Sequence, residues 1–299
     1  MASFAEASAV KPLTSHSYAA NFDSSWCVGS VPHGGFVTAV FLQVAAAHFR
    51  TTLARQNQPH TITLHLEFLR RTQEGPAVFT VQDLKLGRQT SNIHVSLSQG
   101  GREAVVGYLT NSNLHAEEGI SLETDWSLHP PPPSVDLARL VQDKDEHWEL
   151  QKNRPFPNFR KVYGHVRTHL PRRGQAMRSL ADEWLRFPNG ERFTNESVGL
   201  VADLWPQIVE AYKSPADQAL SWYPTLLLNL DVKKALPAEG VEWLFARVRA
   251  KKIRNGRQDL EVVIMDETGD IIALSSQVAL ILDSSRNTAK RRPNKEGKL

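Results

Sequence analysis

Apolar residues follow two different periods along this chain. Within residues 36–54, Phe36, Val37, Val40, Phe41, Val44, Ala45 and Ala47 recur at helical spacing and cover most of the circumference. The pattern predicts a helix wrapped by other structure on nearly every side. After it the period falls to two. Residues 61–69 place Ile62, Leu64, Leu66 and Phe68 on one face, and 77–86, 91–98 and 104–110 read as further strands, with another at 16–22 ahead of the helix. One long helix followed by an antiparallel meander is an α+β pattern. Residues 111–159 interrupt it with His129-Pro130-Pro131-Pro132-Pro133, many charges and few periodic apolar positions. A linker is expected there, with a short helix at 135–142.

Beyond the linker the first half recurs. Gly87-Arg88-Gln89 is matched by Gly256-Arg257-Gln258, and at the same spacing Ile93 meets Val262, Val95 meets Ile264, Gly100 meets Gly269 and Ala104 meets Ala273. Residues 198–204 take the place of the first helix, 224–233 that of the first long strand and 243–250 that of the second. The match implies about eight extra residues between helix and sheet, assigned to the loop around 213–222. Two units, each a long helix gripped by a curved antiparallel sheet, are expected to form a pseudo-dimer within one chain. The boundaries read 1–115, a Pro-rich linker at 116–155, 156–283, and a disordered basic tail at 284–299.

Composition narrows the function classes. Net charge is +3 with a pI near 9.0, but much of the basic excess sits in Lys290, Arg291, Arg292 and Lys298. No aromatic and basic stripe accompanies it, so no nucleic-acid partner is expected. The single cysteine, Cys27, excludes an internal disulfide, suits a reducing compartment and reads as packing more readily than as a nucleophile. Residues 1–17 lack the pattern of a secretory signal, and no apolar run reaches the ~18 residues a bilayer span needs. An intracellular soluble protein without a membrane partner is expected, cytoplasmic or peroxisomal, because the terminal Gly297-Lys298-Leu299 is similar to the Ser-Lys-Leu address. His165 and His169 share a strand face with no third ligand near in sequence, so no metal is expected.

The candidate chemistry starts at Val31-Pro32-His33-Gly34-Gly35-Phe36-Val37, where a Gly-rich turn runs into the buried helix. Such a turn leaves free N–H donors at the positive end of a helix dipole, suited to an anion or a developing oxyanion. It could equally be a structural turn before a core helix.

With the Gly-Arg-Gln pair, Val201-Ala202-Asp203-Leu204 and Ser275-Ser276-Gln277-Val278-Ala279, this turn resembles the double-hotdog acyl-CoA thioesterases, the type II or TesB-like family, over about residues 15–283. The resemblance implies a double hotdog and hydrolysis of an acyl-CoA or other acyl thioester, with no cofactor beyond the thioester substrate and no metal. Related single-hotdog enzymes carry a His-Gly-Gly turn and an acid about nine residues on. Here the first half keeps the turn but has Phe41 and Leu42 at the acid position, whereas the second half has Asp203 but Thr194-Asn195-Glu196 at the turn position. One composite site is expected. By position, the family's hydroxyl and glutamine partners of the acid become Asn229 and Gln277, with Tyr108 as the counterpart of Gln277. His33, Gly34, Gly35 and Phe36 supply the substrate and oxyanion side through backbone N–H groups near Gly35 and Phe36.

Three alternatives stay open. On a helical wheel Asp203 falls nearly opposite the stripe Val198, Val201, Ala202, Trp205, Ile208, Val209 and Tyr212, as a solvated residue would, although Pro206 should break that helix just after it. His33 and Asp203 could instead form a hotdog dehydratase or hydratase dyad. The chain could also be a non-catalytic hotdog that holds an acyl thioester or a polyketide-like intermediate in a biosynthetic pathway. Arg70, Arg71, Arg88, Lys251, Lys252 and Arg254 are candidates for the CoA phosphates at the site mouth. Outer sheet edges make a homodimer plausible.

Overall fold

The computed structural model describes residues 2–214 and 219–290. The tripeptide Gly297-Lys298-Leu299 and part of the 213–222 loop lie outside the described residues. Alternating apolar stretches pair into one antiparallel sheet of thirteen strands. They are β1 (Lys11–Thr14), β2 (Ser17–Phe22), β3 (His60–Phe68), β4 (Gly75–Leu86), β5 (Ser91–Gln99), β6 (Arg102–Ser112), β7 (Trp148–Leu150), β8 (Arg167–Pro171), β9 (Leu180–Arg186), β10 (Thr225–Val232), β11 (Leu244–Arg254), β12 (Arg257–Met265) and β13 (Ile271–Leu280). Their order is β1-β2-β4-β5-β6-β3-β10-β13-β12-β11-β9-β8-β7, so each half mirrors the other about the β3/β10 seam.

The register locates the symmetry axis. His65 faces Asn229 across the seam, with Leu64 opposite Leu230 and Leu66 opposite Leu228. Both strands bulge at equivalent places, between Thr61 and Thr63 and between Thr225 and Leu227. His65 pairs with Tyr108 on β6, and Asn229 pairs with Ser276 on β13. The structural mate of Tyr108 is therefore Ser276, and that of Gln277 is Leu109, one residue away from the ungapped match. The extra residues of the second half also move. Helix and first strand keep one spacing, Gly35 to Gly199 and His65 to Asn229, so no insertion separates them. The added length falls in the 233–243 loop after β10 and in the turn after β12.

The apolar helix is α1 (Gly34–Arg50), starting two residues earlier and ending four earlier than the pattern predicts. Phe36, Val37, Val40, Phe41, Val44 and Ala45 are wholly buried. Full burial of the Phe and Val side chains contributes about 1.5–3 kcal/mol each, which holds the helix against the sheet. Among the described residues the second half has no equivalent long helix. Its α2 (Val198–Val201) is one turn, followed by a 3-10 turn at Ile208–Tyr212, because Pro206 offers no N–H and clashes with a preceding turn. The two helices meet at glycines. A Cβ on Gly35 would lie 2.7 Å from the Leu200 carbonyl, and one on Gly199 would lie 2.8 Å from the Ala39 nitrogen.

The segment expected as a linker packs on the outer face of the second half. Its helical turn is Leu137–Leu140, and β7 extends the sheet beside β8. Leu140 and Trp148 cover Trp184, Trp243 and Phe245 there. Beneath them Arg247 donates two bonds to the Asp182 carboxylate, at 2.6 and 2.7 Å, and a third to the Pro130 carbonyl. The expected tail begins with a docked stretch: Asn287, fully buried, accepts from the Ser30 N–H and donates to the Val28 carbonyl. No helix among the described residues is long and apolar enough to cross a membrane.

Candidate active site

The start of α1, the end of α2 and the first residues of β10 converge on one cavity of about 220 Å³. His33 is the N-cap of α1, in extended conformation at φ −61° and ψ 136°. Its carbonyl accepts the Val37 N–H, and its own N–H donates to the Trp26 carbonyl. Gly34 follows in the cavity wall, and its N–H has no protein acceptor among the described residues. The Gly35 N–H donates to Asp203 Oδ2 at 2.8 Å, so this donor is engaged by the acid and unavailable to an oxyanion. Phe36 turns away into an aromatic cluster, stacked on Trp26 with ring centroids 4.9 Å apart. Of the two glycine donors of the turn, that of Gly35 is engaged by the acid and that of Gly34 is left open among the described residues.

Asp203 is buried, which overturns the solvated-face reading from the helical wheel. With α2 only one turn long, the wheel does not apply at residue 203. Besides the Gly35 bond, the Thr225 hydroxyl donates to Oδ1 at 3.4 Å, and His33 Nε2 stands 3.6 Å from Oδ2. Burial lifts the carboxyl from its ordinary value to about 7, against the lowering effect of the Gly35 and Thr225 bonds. Burial likewise pushes His33 down to about 4. The imidazole is therefore neutral near pH 7, and its Nδ1 has no partner among the described residues. Both glycines are needed for this approach, since a Cβ on Gly34 would come within 2.7 Å of Asp203 Oδ2.

Gln277 reaches the same corner from β13. Its Nε2 donates to the Ala202 carbonyl, while Oε1 is buried with no partner among the described residues. Asn229 is not brought to the acid. It lies between the buried Leu228 and Leu230 on the opposite face of β10, where its side chain bonds to His65 at 2.6 Å and Ser276 at 3.1 Å. The hydroxyl that does reach Asp203 is Thr225, four residues earlier. Strict alternation would put residues 225 and 229 on one face, but the bulge between Thr225 and Leu227 reverses the parity. The sequence held one clue: Thr61, at the same repeat spacing from Thr225 as His65 from Asn229.

The cavity walls hold further residues the sequence pattern did not single out. Tyr163 donates to the Trp205 carbonyl at 2.9 Å, stands edge-on to His33 and is pushed up to about 12 by burial. Arg160 pairs with Glu210 at 2.9 Å, and the Tyr223 hydroxyl donates to the same carboxylate at 2.7 Å. Of the six cations expected at the mouth, Arg70 and Arg71 line the cavity. Arg88 borders a different surface cleft, and Lys251 and Lys252 another. Around the pseudo-twofold mate of the site, Leu42, Ala46, His60, Thr61, Asn195 and Glu196 close in on about 20 Å³, scarcely more than one water needs.

Family models for the acyl-CoA thioesterase N-terminal and C-terminal domains match residues 22–112 and 133–281. A thioesterase-like protein of Talaromyces wortmannii, TwmA, is 33% identical over 96% of this chain and 94% of its own length. Among solved structures, a thioesterase II of Thermobifida fusca has a TM-score of 0.72 at 20% identity, covering 94% of this chain and 98% of its own. A hot dog fold protein of Alicyclobacillus acidocaldarius has a TM-score of 0.73 at 16% identity, covering 93% and 97%.

Proposed function

The chain belongs to the acyl-CoA thioesterase family, and from its cavity we propose that it hydrolyses an acyl thioester with Asp203 as general base. The observation that carries this reading is a buried carboxyl, poised at about 7, held at the N-terminus of α1 beside an unengaged backbone donor. A general base serves best with a pKa near the working pH. The mirrored strand order around the β3/β10 seam supports a double hotdog, each half contributing part of one site.

In the proposed step a water sits between the Asp203 carboxylate, Thr225 and the free Gln277 Oε1. Asp203 takes one proton as the oxygen attacks the thioester carbonyl. The oxyanion of the tetrahedral intermediate accepts from the Gly34 N–H, which the helix dipole strengthens. Collapse breaks the C–S bond, the thiolate leaves with the proton from Asp203, and the acid product departs. Arg70 and Arg71 at the mouth suit the phosphates of a CoA substrate. Neutral His33 packs against the acid and shapes the turn. The exposed Val78, Leu84, Leu86 and Tyr108 on the outer face of the first half, bare where the linker covers the second half, support a homodimer through that face.

The test follows free thiol from a panel of acyl-CoA esters. Release lost in Asp203→Asn but retained in His33→Ala supports hydrolysis. Loss in both, with a dehydrated or hydrated acyl product and no thiol, replaces it with the dehydratase reading, and binding without product leaves a carrier module.

A further inference from the structure

At the far end of α1 a second cluster stands apart from the cavity. His48, in the last turn of the helix and fully buried, aims Nε2 at Asp83 Oδ1 on β4 at 2.9 Å. His16, on the turn between β1 and β2, aims Nε2 at the other oxygen, Oδ2, at 3.2 Å. The two imidazoles stand edge to face with centroids 5.0 Å apart. Their remaining nitrogens are held from behind: His48 Nδ1 by the Tyr18 hydroxyl at 3.0 Å, and His16 Nδ1 by the Ser15 hydroxyl at 2.8 Å.

We propose that His16, His48 and Asp83 form a binding site for a divalent transition metal of the zinc type, which clamps the C-terminal end of α1 to the β1–β2 turn and to β4. Two imidazoles and one carboxylate with an open fourth position are a ligand set that Zn²⁺ accepts. The three donor atoms lie within 4.8 Å of one another, so an ion with bonds of about 2.0–2.2 Å meets them after a small inward closure of the His16 turn. Hydrogen bonds on both Nδ1 atoms are what metal-bound histidines use to fix tautomer and ring orientation. The negative end of the α1 dipole adds attraction for a cation. With His16 43% and Asp83 23% exposed at their side chains, an ion has a path in from solvent. The ligands come from three separate elements, with no motif spacing, which is why the sequence gives no sign of them.

About 22 Å of helix separates His48 from His33 at 1.5 Å per residue, so the ion stabilises the fold without taking part in hydrolysis. The experiment uses the full chain stripped with EDTA and dialysed. Titration calorimetry with ZnCl₂ is expected to show one ion per chain, Co²⁺ to give visible d–d bands, and the melting temperature to rise by several degrees on Zn²⁺ addition. His16→Ala, at a half-exposed turn that tolerates truncation, should bind at least tenfold more weakly and lose the thermal shift. Asp83→Asn should do the same, while His60→Ala, beside the unrelated His60/His115 ring pair, should not. Absence of stoichiometric uptake, or uptake unchanged in His16→Ala, overturns the site and leaves a hydrogen-bonded His–Asp–His network.

Discussion

Near pH 7 the Asp203 carboxyl divides between two forms, because burial raises it to about 7 while Gly35 and Thr225 pull it down. Only the ionised form can take a proton from water. The rate of thiol release should therefore climb as pH rises through about 7 and then level off, and Asp203→Asn should lower kcat a hundredfold or more and flatten the profile. The same shift has a stability consequence of opposite sense. The folded value is raised above the ordinary 3.8, so the contribution is full below about 4 and is lost as pH rises to about 7. Thermal scans should find Asp203→Asn gaining on the native chain across that window, by up to a few kcal/mol, with the gap constant above it. Gly34→Ala tests the other side of the site. The new Cβ would press within 2.7 Å of Asp203 Oδ2 and 3.4 Å of Thr225 Oγ1, displacing the carboxylate. It should reduce kcat at least tenfold in the thiol assay while lowering stability by only about 1 kcal/mol.

Strand β10 shows how much of the site could be read from the pattern. The internal repeat located the strand from its counterpart at 61–69, and that strand and the wrapped helix were visible because periodicity records which face is buried. Periodicity does not record a bulge. The one between Thr225 and Leu227 costs the sequence nothing visible, yet it turns Thr225 inward and leaves Asn229 on the outer face beside His65. Thr225→Val should accordingly lower kcat tenfold or more, whereas Asn229→Ala should stay within about twofold of the native rate. The reverse ranking would return the hydroxyl role to residue 229. The one-turn α2 was half legible, since Pro206 announced the break, but burial of Asp203 depends on α1 arriving from the other half. Pairing on β9 and β11 was hidden too, because no sequence pattern singles out Asp182 and Arg247, 65 residues apart, before the linker folds over them. Their bidentate pair is almost fully enclosed, so Arg247→Met strands a buried carboxylate and should cost about 3–5 kcal/mol in urea unfolding. Adding Asp182→Leu should recover most of it.

Both halves share one sheet and one apolar cluster running from Phe4 to Ala273, and the parts of the proposed site are divided between them, with the turn on α1 and the acid after α2. Stability and activity are therefore coupled across the α1–α2 crossing, where no reacting atom lies. Gly199 is the position that exposes this coupling. Its Cβ would meet the Ala39 nitrogen at 2.8 Å, with the Ala39 Cα and the Thr38 carbonyl carbon each at 3.0 Å, all backbone atoms of the helix whose first turn holds Asp203. Backbone cannot yield as a side chain can, so Gly199→Ala should force the halves apart by a few tenths of an ångström and cost about 1–3 kcal/mol. The displacement lengthens the Gly35 to Asp203 bond, which at 2.8 Å has little slack, and kcat should fall with the urea midpoint although residue 199 touches neither water nor substrate. Because the main apolar cluster runs through both units, tryptophan fluorescence and thiol-release activity should be lost in one coincident transition in both the native chain and the variant. Two resolved transitions, or a Gly199→Ala protein that loses stability at full kcat, would show that the halves hold the site independently.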